Sequence, residues 1–246
     1  MTYCLAIALE KGLVFASDSR THAGVDNVNT YHKMHTFCWE KDRMLVLLSA
    51  GNLATTQAVV RKLESDAENE THEGVTLQNS VSLSEAAEYV GRTSREIQNY
   101  QEGLMEQQSA FDAGATFILG GQLKGHTPEL YLIYPEGNFI GVSPEHPFLQ
   151  IGETKYGKPI LDRIVEANMS LEDAARAALV SLDSTIRSNL SVGPPLDLMI
   201  YQKDTLCRTD ITNFKHRHPY LTSLRKEWGD GLRRIFDELP RFDWES

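Results

Sequence analysis

Two apolar stretches open the chain, Tyr3-Cys4-Leu5-Ala6-Ile7-Ala8-Leu9 and Leu13-Val14-Phe15-Ala16-Ser17, parted by Glu10-Lys11-Gly12. Short apolar runs bounded by turn residues predict strands near 2–9 and 13–17, joined as a hairpin. A second pair is expected at 34–39 and 43–50, with the polar Glu40-Lys41-Asp42-Arg43 as its turn. Helical spacing follows. One helix is expected after Gly51, with Ala54, Ala58, Val59 and Leu63 on one face. Ser82 or Ser84, with Glu85 nearby, signals the start of a second. Its apolar positions Ala86, Val90, Ile97, Leu104 and Met105 carry it to about Gln108. The polar, acidic stretch 64–79 between them reads as a loop.

Strands are expected again at 115–119, 129–133 and 138–142, with Pro128, Pro135-Glu136-Gly137 and Pro144 marking turns. Residues 154–167 read as helical despite Pro159. Ser170-Leu171-Glu172-Asp173 caps a further helix through about Arg187. A hairpin of 196–201 and 205–210 ends the pattern. Strands, two helices, strands, two helices, strands is a grouped order, which implies α+β rather than alternating α/β. Two antiparallel sheets packed together with helices outside satisfy it. The chain thus divides into a domain of 1–211 and an extension of 212–246. In the extension, Trp228, Leu232, Ile235, Phe236 and Leu239 form an apolar stripe beside Arg225, Lys226, Arg233 and Arg234. A stripe of that size must be buried, either on its own domain or on a neighbouring subunit.

Composition narrows the function. A length of 246 residues with 41% hydrophobic content fits one large soluble domain or two small ones. No apolar run reaches the ~20 residues of a membrane helix, and no signal peptide is expected. The formal net charge of −10 argues against general nucleic-acid binding. Cys4, Cys38 and Cys207 are odd in number and widely spread, which suggests reduced thiols and a cytoplasmic protein. His32-x-x-His35 and His216-x-His218 have metal spacing but no companion cluster, so no metal site is expected. Gly120-Gly121 is not followed by a phosphate-loop Lys, and no cofactor is expected.

The chemistry lies at the beginning. Met1 precedes Thr2, and Met before a small residue is normally removed by methionine aminopeptidase. Thr2 would then carry a hydroxyl and a free amine on one residue. An α-amine has an ordinary pKa near ~8, so it can serve as the base that a Thr hydroxyl needs. Asp18, Lys33 and Gly51 follow in the order Thr, Asp, Lys, Gly. That ordered set resembles the proteasome-type peptidases, proteasome β-subunits and bacterial HslV, over roughly Thr2 to Tyr201. The nearest resemblance is to the Anbu family of bacterial proteasome homologues, which also start Met-Thr-Tyr without a propeptide and carry a longer C-terminus.

The resemblance implies a four-layer αββα sandwich of the N-terminal-nucleophile hydrolase type. It implies peptide or amide hydrolysis by Thr2, with Lys33 as the positive group beside the hydroxyl and Asp18 as its buried partner. The Gly51 N–H would hold the oxyanion. Arg187-Ser188-Asn189-Leu190-Ser191-Val192-Gly193 resembles a family segment in which Ser191 matches the serine bonded to the terminal amine. Ser188 replaces an aspartate there. Gln150-Ile151-Gly152-Glu153-Thr154 resembles another serine-bearing segment, with Glu153 or Thr154 in the serine's place. Thr21, Tyr31, Ser49 and Leu53 would line the substrate pocket, and the backbone of 21–23 could pair with an extended peptide. Family members assemble as rings or spirals acting on peptides or unfolded proteins. Two other readings are open: an amidase for a small metabolite, and a non-catalytic assembly scaffold.

Overall fold

The computed structural model describes residues 1–22, 28–69, 71, 73–104 and 112–245. The opening hairpin forms as expected. Strand β1 (Tyr3–Leu9) pairs antiparallel with β2 (Gly12–Asp18), with Leu9 opposite Gly12. Every residue of β2 is buried. Such a strand is covered on both faces, which is why its sequence runs apolar instead of alternating. A small hairpin, β3 (Arg20–His22) with β4 (Val28–Thr30), follows. Then β5 (Met34–Trp39) and β6 (Arg43–Gly51) form the second expected pair.

Helix α1 (Leu53–Glu68) runs five residues into the stretch expected to be loop. Its buried face is Thr55, Thr56, Val59, Val60 and Leu63, while Ala54 is exposed and Ala58 half-buried. Asp66 explains the extra turn. It is buried, it accepts a hydrogen bond from the Tyr89 hydroxyl at 2.6 Å, and it pairs with Lys62 one turn back. Tyr89 belongs to α2 (Leu83–Leu104). There the Ser82 hydroxyl accepts the Glu85 N–H and the Glu85 carboxylate accepts the Val81 N–H, a reciprocal cap one residue out of the usual frame. Leu104 is exposed, and Met105 and Gln108 lie outside the described residues.

The remaining strands are β7 (Ala115–Leu123), β8 (Glu129–Ile133), β9 (Phe139–Gly141), β10 (Phe148–Gly152), β11 (Leu196–Gln202) and β12 (Thr212–Phe214). Gly120-Gly121 lies within β7, not in a loop. The last expected hairpin is displaced: 205–210 is not a strand, and β12 pairs with β11 in its place. The helix expected over 154–167 shrinks to α3 (Lys158–Ile164), with Pro159 in its first turn, where a missing N–H costs nothing. Helix α4 (Leu171–Ser188) starts as expected, with the Ser170 hydroxyl accepting the Asp173 N–H.

Two five-stranded sheets result, ordered β10-β1-β2-β11-β12 and β5-β6-β7-β8-β9. Cys4, Ala6, Phe15, Val46, Leu48 and Ile118 fill the space between them. The other face of β1 packs Tyr3, Leu5 and Ile7 against Ala174, Ala178 and Leu182 of α4. Leu45, Leu47 and Phe117 meet Val59, Leu63 and Val90 of α1 and α2. The architecture is the expected α+β sandwich with helices outside. Full burial of each Leu or Phe here stabilises the fold by ~1.5–3 kcal/mol.

Helix α5 (Pro219–Asp237) forms the extension. Its first half docks through Leu221 and Leu224, and Arg225 Nε donates to Asp183 of α4 at 2.6 Å. Its second half does not dock on the domain. Leu232, Ile235, Phe236 and Leu239 are exposed, and only Trp228 of the stripe is partly covered. Among the described residues, no helix is long and apolar enough to cross a membrane.

Candidate active site

The antiparallel pairing of β1 and β2 sets Thr2, just before β1, beside Asp18 at the end of β2. The Tyr3 N–H donates to Asp18 Oδ1 at 3.0 Å, and the Thr2 carbonyl accepts the Glu153 N–H at 2.8 Å. Gly152 makes the second contact feasible. It holds φ +82°, and a Cβ there would stand 2.0 Å from the Thr2 oxygen. The Thr2–Tyr3 backbone is therefore gripped from β2 and from the end of β10.

Lys33 Nζ reaches the same carboxylate, donating to Asp18 Oδ1 at 2.7 Å and to the Arg20 carbonyl at 2.8 Å. Its side chain is 7% exposed and that of Asp18 is fully buried. Removing one partner of so buried a pair would strand the other. Burial pushes the Asp18 carboxyl up from its ordinary value, while Lys33 and the N–H groups of Tyr3 and Gly193 pull it back. An ammonium has three protons, so one of Lys33's remains for the cavity it faces.

That cavity has a volume of about 740 Å³ and is lined by Thr2, Lys33, Tyr31, Ser49, Gly51 and Leu53, all singled out in the sequence. Gly51 sits where β6 ends and α1 begins. Its φ is +113°, and a Cβ would fall 2.3 Å from the Gly114 carbonyl oxygen, so no other residue fits without a backbone shift. Asn52 caps α1, its Oδ1 accepting the N–H groups of Ala54 and Thr55.

Ser191 does not line the cavity. Its N–H donates to Asn189 Oδ1, and the segment meets the site instead through Gly193, whose N–H donates to Asp18 Oδ2 at 3.3 Å. Ser188 is the exposed last residue of α4. Thr21 pairs by backbone with Asn29, but its side chain and Ala23 lie outside the described residues.

The sequence reading missed several walls. Thr56 and Gln57 lie one turn beyond Leu53 on α1, a helical spacing that could have revealed them. Glu153 was not missed: of the two residues offered in the serine's place, it and not Thr154 lines the cavity, and its carboxylate accepts Asn189 Nδ2 at 2.8 Å. His32 and His35 line it as well. His32 Nδ1 lies 3.2 Å from buried Asp197, which also accepts from Ser19 and Asn213. Burial lowers His35 to about 4, with a smaller contribution from His32. Beneath Thr2, the Tyr3 hydroxyl bonds Ser181 and Gln150, and burial pushes it up to about 12. Among the described residues, no group of three or more His, Cys, Asp or Glu is gathered to hold a metal.

Met1 also lines the cavity, its sulfur 3.8 Å from Asn189 Nδ2. With Met1 attached, the Thr2 nitrogen is an amide and cannot act as a base.

Known proteins resemble this chain in sequence and, where their structures are solved, in shape. The model of the proteasome subunit family matches residues 2–200. Proteasome subunit beta 2 of Pyrobaculum islandicum is 24% identical over 210 residues, covering 83% of this chain and 92% of that protein. The solved structure of Anbu (ancestral beta-subunit) from Yersinia bercovieri is 46% identical, covers 99% of this chain and 100% of that one, and superposes with a TM-score of 0.91. The helical assembly of the Anbu complex from Pseudomonas aeruginosa gives 45% identity, 99% coverage of both chains and a TM-score of 0.93. Matched along almost its whole length in sequence and fold, the chain belongs to the proteasome subunit family, as an Anbu-type member with the N-terminal-nucleophile fold.

Proposed function

We propose that this protein is a threonine-type peptide or amide hydrolase of the bacterial cytoplasm, active once Met1 is removed. The buried Lys33–Asp18 pair at the wall of the Thr2 cavity carries the reading. A full ion pair inside the fold is costly, and the third proton of its ammonium is left for the cavity that Thr2 also lines. Thr2 Oγ1 attacks the carbonyl carbon, and the freed amine takes its proton. The Lys33 ammonium stabilises the alkoxide form and keeps the amine neutral. The Gly51 N–H, beside the start of α1, holds the oxyanion. The amine then protonates the leaving nitrogen, and water hydrolyses the Thr2 ester. Ser191 acts at one remove: its N–H holds Asn189, whose Nδ2 holds the cavity-lining Glu153. Thr21, Tyr31, Ser49 and Leu53 receive the residue before the scissile bond.

The working form is a homo-oligomer, as the Pseudomonas aeruginosa assembly suggests, with residues 212–246 as its assembly extension. The test is intact mass followed by labelling with a peptide epoxyketone, which forms a ring with the hydroxyl and amine of a terminal Thr. Loss of Met1 and a mass shift on the Thr2 peptide, absent in Thr2→Ala, are expected. Protein with a proven free Thr2 that never labels and cleaves neither peptide nor amide would leave the scaffold reading standing. Cleavage of simple amides without peptides would select the metabolite amidase.

A further inference from the structure

A second cavity, of about 320 Å³, lies beside the first half of α5. Arg20, Arg187, His216, Arg217 and Arg225 line it, together with apolar residues such as Leu221. Among the described residues, no carboxylate lines it. Yet the whole chain is acidic, with 34 Asp and Glu against 24 Lys and Arg. Arg225 is neutralised from below by Asp183 at 2.6 Å. Arg20 donates to the Leu190 carbonyl. Among the described residues, Arg187, His216 and Arg217 form no ion pair.

These groups come from four separate places: β3, the last turn of α4, the segment before α5, and α5 itself. Like charges converging on one concavity repel each other unless an anion joins them. The backbone reinforces the reading. Arg217 holds φ +66°, a left-handed conformation that costs a non-glycine residue free energy. Its helix-start neighbour His218 accepts the Tyr220 N–H. The turn therefore holds the Arg217 side chain at the cavity despite the strain.

We propose that this cavity binds a small multivalent oxyanion, of the pyrophosphate or tricarboxylate kind, that ties the C-terminal segment to the catalytic domain. Guanidinium forks match either oxyanion through paired hydrogen bonds, and several of them around one space favour more than one negative charge. The tie reaches far into the fold. The ligand would sit on the guanidinium of Arg20, whose own carbonyl accepts Lys33 Nζ. It would also hold 216–217, the lead into α5.

Calorimetric titration of the full-length protein at constant ionic strength tests this, with pyrophosphate in one arm and citrate in the other. The comparison variant is Arg187→Gln with Arg217→Asn, chosen because Asn tolerates the left-handed backbone and both residues are exposed. Saturable binding, one per protomer, is expected, weakened at least about ten-fold in the variant as two charge-assisted contacts are lost. The arm that binds more tightly names the anion as phosphate or carboxylate. Should the double variant misfold, Arg187→Gln alone is expected to weaken binding. The proposal is overturned if neither anion binds saturably, or if the well-folded variant binds as tightly as the wild type.

Discussion

Lys33 and Asp18 form a buried ion pair to which the proposed function gives a chemical role besides a structural one, and substitution can separate the two. Lys33→Ala leaves a buried carboxylate without its cation, so a loss of about 3 kcal/mol or more in unfolding free energy is expected. Adding Asp18→Asn removes the stranded charge while keeping an acceptor for the Tyr3 N–H. Urea unfolding should therefore show the double variant recovering part of that loss. Thr2 labelling should stay at least about a hundred-fold slower in both, because a missing stabiliser of developing charge is not replaced. Recovery of labelling along with stability would make the lysine's role structural. His35 gives a second residue-scale prediction. Its folded value, about 4, lies below the ordinary 6.5, so the unfolded chain binds the proton more readily. The neutral form's contribution is complete above pH 6.5 and is lost as pH falls toward 4. Up to about 3 kcal/mol is at stake from a shift of this size. In urea melts from pH 7 to 4.5, His35→Gln should lose less stability than the wild type. Parallel curves would mean that His35 titrates normally.

At the scale of elements, the turn from β6 into α1 makes a cavity wall from a helix start. Asn52→Ala removes the cap of α1 and its hold on Asp112, and should lower stability by about 1 kcal/mol. Thermal melting measures that cost. A slower Thr2 labelling rate in the same variant would show that the cap also fixes Gly51; an unchanged rate would show that the β6–β7 ladder does so unaided. This region was legible in the sequence because local signals agreed: an apolar run, a glycine, then helical spacing. The order Thr2, Asp18, Lys33, Gly51 was legible only through the resemblance to proteasome-type peptidases, since local pattern alone reads Asp18 and Lys33 as surface charges and Gly51 as a helix-start glycine. Other parts were not. β10 was read only as a motif, because Gln150-Ile151-Gly152 is too short to announce a strand, yet its end grips Thr2. Pro159 marked the start of α3 and not a flaw within it. Glu153 was offered only as one of two alternatives and His32 only for its metal spacing, because their partners, Asn189 and Asp197, are distant in sequence and no local spacing encodes them.

At the scale of the whole molecule, α5 poses a question that the protomer does not answer. Its first half is held by Leu221, Leu224 and the Arg225–Asp183 pair, while the second half leaves Phe236 72% exposed and Ile235 55% exposed. Beyond it, Phe242 and Trp244 stack on each other, their centroids 4.2 Å apart, with both rings still exposed. A soluble chain rarely leaves so much apolar surface contiguous unless something covers it. If a second copy does, Ile235→Asp with Phe236→Asp should lower the mass seen by light scattering from a multiple of the protomer toward the protomer itself. Neither side chain belongs to a core cluster of its own chain, so the circular dichroism of the variant should match the wild type at equal protomer concentration. Its melting temperature should lose only the part that depends on concentration, since assembly stabilises by mass action. An assembly of unchanged mass in a well-folded variant would place the subunit contact elsewhere and return the stripe to some other partner. Wild-type protein that scatters as a monomer at micromolar concentration would refute self-assembly through α5 altogether.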